Sequence, residues 1–210
     1  MPCWSIHLGV CNEVNNIFNY DKELLYFGCI LPDLIDRDLG HYYKNHIINF
    51  DDFMNDYKDN INNPLILGYY IHLLTDYYYN SFISKNSWIK DKDNNTIGIK
   101  LMDGNYIYND DPIFIRNFKQ NDFKNFGCYL VNNTLLELPN DYNKIYDNAK
   151  NLNIKIDKNS IKDKIDYLKS DDFYKYNTFN GYKLFNKDTY EIMYNDCIQF
   201  IIEKINNISL

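Results

Sequence analysis

The long apolar segment after Asn63 is the feature that most constrains how this chain folds. Asn63 and Pro64 form a typical helix start, with Asn as the N-cap and Pro at the first helical position. From residue 65 to about residue 82 the sequence is apolar nearly all round, which is typical of a helix at the centre of a bundle. His72 and Asp76 are polar intrusions into that helix. Because a buried charge is costly unless it is paired or bound to a metal, both side chains need a partner.

Capping signals and apolar periodicity predict further helices on both sides of this segment. Ser5 is the expected N-cap of the first helix, whose apolar residues recur at helical spacing. Pro32 ends the second, so Asp33 is expected in a turn, and residues 34–48 are expected to form a loop. The predicted helices cover residues 5–18, 23–27, 50–61, 65–82, 113–133, 140–152, 160–169 and 187–206.

The segment at residues 88–112 has a different sequence pattern from the helical regions around it. Residues 97–108 have the pattern of two short strands around an Asp-Gly turn, which predicts a β-hairpin. The sequence therefore predicts a single all-α domain over residues 1–210. Its expected parts are a metal-binding helical core at 1–82, the irregular insertion at 88–112, and C-terminal helices at 113–210.

Composition excludes several classes of protein. With 45% apolar residues, the 210-residue chain is able to bury a sizeable core. A net charge of −7 makes nucleic acid a less favoured partner. Five scattered cysteines without a C-x-x-C pair, and an N-terminus without the pattern of a secretory signal, predict a cytoplasmic protein. Without a long uninterrupted apolar run, no transmembrane segment is expected.

The candidate chemistry is concentrated near the N-terminus, because all four histidines lie within the first 72 residues. His72 and Asp76 are four residues apart on one helix, so their side chains leave the same face. Mixed imidazole and carboxylate donors suit zinc, while iron or manganese also remain candidates. The predicted metal ligands are His7, Asp33, His41, His72 and Asp76. His46 is an alternative to His41 as the ligand that the loop contributes.

The order and context of these residues resemble the zinc-dependent phospholipase C family, whose fold is shared with the S1/P1-type nucleases. The resemblance covers about residues 1–82 and is closest to bacterial, non-secreted members. Three stretches and one single residue carry it. They are Ile6-His7-Leu8, Gly28-Cys29-Ile30-Leu31-Pro32-Asp33, His41, and Gly68-Tyr69-Tyr70-Ile71-His72-Leu73-Leu74-Thr75-Asp76.

This resemblance implies a helical phosphodiester hydrolase in which a metal-bound hydroxide attacks phosphorus. It assigns Asp33, His41, His72 and Asp76 to one metal, with Asp76 bridging to a second metal that His7 also holds. Asp33 is also the implied catalytic residue, which orients or deprotonates the water. The family's remaining site uses further histidines, and this chain has none after position 72, so one or two metals are expected. The implied substrate is a small phosphodiester or a phospholipid headgroup.

Four alternatives remain open on the sequence, two for the function and two for the ligands. The chain could be a non-catalytic, metal-stabilised helical protein with an interaction role. It could be an HD-type metal phosphohydrolase, although that family uses adjacent His-Asp residues and this chain has no such pair. Cys11, one turn after His7, could supply a thiolate, and Glu137 or Glu191 could replace the missing downstream histidines.

Overall fold

Helices dominate the structure, a computed structural model that describes residues 2–44, 47–175 and 181–208. All eight predicted helices are confirmed, with ends that shift by a few residues. Within the described residues the helices are α1 (Trp4–Phe18), α2 (Lys22–Gly28), α3 (Arg37–Gly40), α4 (Phe50–Tyr57), α5 (Pro64–Asn86), α6 (Pro112–Asn133), α7 (Tyr142–Asn151), α8 (Lys158–Lys169), α9 (Asp171–Lys175) and α10 (Lys187–Ile208). Two 3₁₀ turns, Leu31–Leu34 and Lys58–Asn60, complete the helical part.

Helix α5 lies at the centre of the fold, as its apolar sequence predicts. Asn63 caps it by accepting a hydrogen bond from the Leu65 N–H at 2.9 Å, and Pro64 occupies the first helical position. Every residue from 65 to 76 is buried, because α1, α2, α7 and α10 all pack against this helix. His72 and Asp76 therefore lie inside the core and not on a solvated face.

Two small antiparallel sheets add to the helical architecture. The predicted hairpin at residues 97–108 is confirmed as β4 (Thr96–Lys100) and β5 (Tyr106–Tyr108), and Gly104 in its turn has a φ of +87°. A further strand, β3 (Trp88–Lys90), pairs with β4 directly after α5. The second sheet is the hairpin of β1 (Tyr43–Lys44) and β2 (Ile47–Ile48).

The structure corrects two expectations near the N-terminus. Cys3, and not Ser5, is the N-cap of α1, and it makes no side-chain capping hydrogen bond. Ser5 is inside the helix with a buried hydroxyl that has no partner among the described residues. The region 34–48, expected as a loop, also contains α3 and the β1–β2 hairpin.

Two glycines allow α2 and α5 to approach until their backbones touch. A Cβ added at Gly28 would lie 2.1 Å from the Leu65 carbonyl oxygen, and one added at Gly68 would lie 2.1 Å from the Leu25 carbonyl oxygen. Only glycine fits at both positions, since real Cβ contacts are never this short. Gly68 is one turn before His72, so this crossing sets what surrounds the His72 ring.

The C-terminal region is held by one buried carboxylate on α6. Asp122 accepts hydrogen bonds from the backbone N–H groups of Lys183 and Leu184, both at 2.7 Å, and from Phe185 at 3.4 Å. The Tyr190 hydroxyl donates to it at 3.1 Å. This carboxylate therefore fixes the segment that leads into α10.

None of the helices in the described part of the chain combines the length and the apolar character needed to cross a lipid bilayer.

Candidate metal centre

Four separate elements bring the five predicted ligands to one buried point. His7 lies on α1, Asp33 in the first 3₁₀ turn, His41 directly after α3, and His72 with Asp76 on α5. Three of the side chains are fully buried, His41 is 1% exposed and Asp33 is 15% exposed. His46, the alternative to His41, lies outside the described residues.

The Gly28–Gly68 crossing determines which nitrogen of His72 is available. It places the Cys29 carbonyl oxygen, at the end of α2, 2.8 Å from His72 Nδ1. A carbonyl only accepts hydrogen bonds, so Nδ1 must carry the proton and Nε2 must carry the lone pair in the neutral ring. Burial, together with His7, lowers the pKa of His72 to about 3, so the ring is neutral at ordinary pH.

A third glycine brings Asp33 and His41 together. A Cβ at Gly40 would lie 2.5 Å from the Pro32 carbonyl oxygen, so only glycine allows α3 to pack against the turn that carries Asp33. The Tyr69 hydroxyl of α5 donates to the Gly40 carbonyl and fixes this corner to the central helix. As a result, His41 Nε2 lies 3.3 Å from Asp33 Oδ1.

The donor atoms face one another at distances that suit a shared ion. His41 Nε2 lies 3.2 Å from His72 Nε2. Asp76 Oδ2 lies 3.7 Å from His41 Nε2 and 3.9 Å from His72 Nε2, while Asp76 Oδ1 lies 3.4 Å from His7 Nε2. Two ligands of a tetrahedral zinc are about 3.3–3.6 Å apart, given metal–ligand bonds of about 2.0–2.2 Å.

These atoms form two overlapping groups of candidate ligands. The first contains Asp33, His41 and His72, and the second contains His7, His72 and Asp76; the donor atoms in each lie within 4.8 Å of one another. The two oxygens of Asp76 face different sides, one toward His7 and the other toward His41 and His72. This is the arrangement that a carboxylate between two ions requires.

Asp76 has the strongest need for a cation. Both of its oxygens are buried, and neither has a hydrogen-bond partner among the described residues. Burial alone would raise the pKa of this carboxyl, but the adjacent His7 and His72 rings outweigh it and lower the pKa to about 2. An ionised carboxylate in the core without a hydrogen-bond donor is costly, and a metal ion removes that cost.

Asp33 is the part of the cluster that reaches toward solvent. Burial raises the pKa of its carboxyl, but the hydrogen-bonded His41 and the neighbouring His72 and His7 rings hold it well below the usual range. The Trp4 indole Nε1 donates to Asp33 Oδ2 at 2.6 Å. The outer edge of the cluster is therefore an ionised carboxylate with one oxygen held by Trp4 and the other facing His41.

The indole of Trp4 and the carbonyl of Cys29 are parts of the site that the sequence did not reveal. Neither has a local signal, because each meets its partner through tertiary packing, 29 and 43 residues away along the chain. Trp4 contacts the site through its ring nitrogen.

The other candidate ligands lie away from the cluster. Glu137 pairs with Lys22, and Glu191 pairs with Lys187, so neither carboxylate replaces the missing histidines. The Cys11 thiol contacts the Leu25 carbonyl oxygen at 3.8 Å. Neither candidate group in the described residues includes a cysteine.

No family model matches this chain, and no curated protein or solved structure matches it either. The buried His/Asp cluster is thus the feature of the molecule from which a function can be argued.

Proposed function

We propose that this protein is a metal-dependent phosphoesterase that hydrolyses a phosphodiester, with one or two zinc-class ions held by His7, Asp33, His41, His72 and Asp76. One observation carries the proposal: two overlapping donor groups share His72, and the Asp76 carboxylate faces both. In the same proposal the helical fold is of the phospholipase C/P1 nuclease type, by the resemblance of residues 1–82. The substrate is a small phosphodiester or a phospholipid headgroup.

The ions, when bound, supply an acidified water and neutralise charge on the phosphoryl oxygens. His72 presents Nε2 to them because the Cys29 carbonyl holds the proton on Nδ1. Asp76 faces both sides of the cluster, so its charge offsets part of the charge of either ion.

Asp33 acts on the water in this proposal. Because its pKa lies well below the usual range, its carboxylate stays ionised and is a weak base. Its role is therefore to accept a hydrogen bond from the attacking water and orient it. Trp4 positions Asp33 by holding Oδ2, and Asp33 is the most exposed of the five side chains, at 15%.

The test begins with protein purified without chelator or metal-binding tag. We expect about one to two equivalents of zinc, iron or manganese by elemental analysis, and metal-dependent hydrolysis of bis(p-nitrophenyl) phosphate. Asp76→Asn keeps the shape of the side chain but removes its charge, and is expected to lose the metal and at least about 100-fold in turnover. Asp38→Asn, an exposed carboxylate on α3, is the matched control and should change neither. Stoichiometric metal without hydrolysis of any generic phosphodiester contradicts the catalytic proposal.

A second candidate is a non-catalytic protein in which the metal only stabilises the helical core. The near-complete burial of four of the five ligands favours it, since structural sites are closed and catalytic sites keep an open position. X-ray absorption spectroscopy of the metal-loaded protein separates the two. A metal with protein ligands at every position supports the structural role, and an exchangeable water ligand supports catalysis.

A further inference from the structure

Lys164 on α8 differs from the other three lysines of its helix. Lys158, Lys162 and Lys169 are exposed, whereas Lys164 is half-buried against the site described above. Its Nζ lies over the Trp4 ring, 4.0 Å from the centroid, and 5.5 Å from the centroid of the Tyr167 ring. The Lys164 ammonium group of α8 therefore lies on the side of the helix that faces the N-terminal cluster.

The Trp4 indole connects this lysine to the outer edge of the metal cluster. The Lys164 ammonium lies over the face of the ring, while the ring N–H donates to Asp33 Oδ2 at 2.6 Å. Ammonium and carboxylate are thus separated by a single indole. Burial lowers the pKa of Lys164, and the negative charge of Asp33 acts in the opposite direction and raises it.

Lys164 has no ion pair within the described part of the chain. No carboxylate oxygen there lies within 4.0 Å of its Nζ, although Lys162, two residues earlier, pairs with Asp166 at 2.8 Å. A half-buried ammonium that stacks on an aromatic ring keeps its hydrogen-bond donors for another acceptor. Among the charges of the site, that of Asp33, on its exposed edge, acts on this ammonium.

From this geometry we infer that Lys164 is the substrate's anion-binding residue, which donates to a non-bridging oxygen of a phosphoryl group at the Asp33 side of the metal cluster. The inference rests on the proposed function and adds to it a residue that selects for an anionic phosphate ester. The charge of the site explains the need for such a residue. Asp33 and Asp76 together balance one divalent ion, so with one ion bound the cluster offers no net attraction to an anion, and Lys164 supplies it.

The alternative explanation is that Lys164 only packs its aliphatic chain and stacks on Trp4, which would affect stability alone. Lys164→Gln removes the charge, Lys164→Arg restores it, and Lys162→Gln is the matched control on the same helix. The measurement is isothermal titration of inorganic phosphate into each protein, with zinc supplied stoichiometrically and any excess removed. Zinc content and the thermal midpoint of each variant are measured alongside.

We expect Lys164→Gln to weaken phosphate binding by about 10-fold or more, as for the loss of a charge-assisted hydrogen bond, with zinc content unchanged. Lys164→Arg should recover part of the affinity, and Lys162→Gln should bind as the wild type does. Equal phosphate affinity in Lys164→Gln and wild type, or no phosphate binding by the zinc-loaded wild type, overturns the inference.

The outcome is separable from that of the proposed function. If phosphate binding depends on Lys164 but the protein hydrolyses no phosphodiester, the anion site is supported and the enzyme proposal is contradicted. If Lys164→Gln instead hydrolyses bis(p-nitrophenyl) phosphate with the same KM as the wild type and binds phosphate equally well, the anion site is contradicted. The enzyme proposal is then still supported.

Discussion

Two carboxylates in the described part of the chain are completely buried, Asp76 in the N-terminal region and Asp122 in the C-terminal region, and their surroundings are opposite. Asp122 accepts hydrogen bonds from backbone N–H groups and from a tyrosine hydroxyl. Asp76 accepts none from the described residues and faces three imidazole rings instead. Burial by itself therefore does not identify a functional carboxylate. The groups around the carboxylate identify its role. Backbone N–H donors indicate a structural anchor, and imidazole rings whose nitrogens face the carboxylate indicate a candidate cation site.

The largest expected effect comes from removing the anchor. Asp122→Ala leaves the N–H groups of Lys183 and Leu184 and the hydroxyl of Tyr190 without their acceptor. We expect the free energy of unfolding to fall by about 3–5 kcal/mol, equally with zinc and with chelator. Urea denaturation monitored by circular dichroism measures it. A loss that appears only in the presence of zinc would contradict the purely structural role of Asp122, because it would connect this residue to the metal site.

The second largest expected effect is the stabilisation by zinc, which should depend on Asp76 but not on Asp122. At a free zinc concentration about 100 times the Kd, the wild type is expected to gain about 2.7 kcal/mol of unfolding free energy over the chelated protein. Asp76→Asn should lose most of this gain, since its carboxylate faces both donor groups. Asp122→Asn should keep the gain, whatever its own stability. Parallel urea titrations of the three proteins with zinc and with chelator give the six values, and an undiminished gain in Asp76→Asn would contradict the metal site.

The smallest effect, taken per pH unit, is a dependence of stability on pH for which His72 and Asp122 have opposite signs. The pKa of His72 is about 3 in the folded protein against 6.5 for the unfolded chain, so the unfolded state binds the proton more tightly. Stability should therefore fall as pH decreases from about 6.5 toward 3, by about 1.4 kcal/mol per pH unit for this one group. Burial raises the pKa of Asp122 above 3.8, so its own contribution rises as pH falls through that value.

The difference between wild type and His72→Gln, both in chelator, isolates the His72 part of this dependence. Gln at this position retains an N–H that can donate to the Cys29 carbonyl. Urea denaturation at several pH values between 4.5 and 7 should show a flatter profile for the variant. Identical slopes in the two proteins would contradict the lowered pKa, because they would mean that His72 takes up a proton as readily in the folded protein as in the unfolded chain.

The sequence predicts the helical framework because its signals are local. The cap at Asn63, the apolar run on α5 and the Pro at residue 32 act within a few residues of the elements they specify. The first helix shows the limit of such signals. Ser5 has the residue type of an N-cap, yet the helix begins one residue earlier, and packing in the core buries the Ser5 hydroxyl.

The convergence of the ligands was predictable from residue types, order and the family resemblance, and the structure brings all five together. The groups that support them were not. Trp4, Cys29 and Lys164 reach the site through contacts between distant segments, and the residue types involved occur commonly without such roles. For the same reason β3 was missed, since Trp88–Lys90 becomes a strand only through its pairing with β4.

The backbone contact between Gly28 and Gly68 makes the candidate site less sensitive to changes elsewhere in the core. The carbonyl that sets the tautomer of His72 is positioned by main chain resting on main chain, with no side chain between α2 and α5 at that point. A cavity or an enlarged residue in the surrounding core is taken up by side chains that move, while two backbones already in contact have no room to do so. Nε2 of His72, the candidate metal-binding nitrogen, therefore keeps its position when side chains of the surrounding core rearrange.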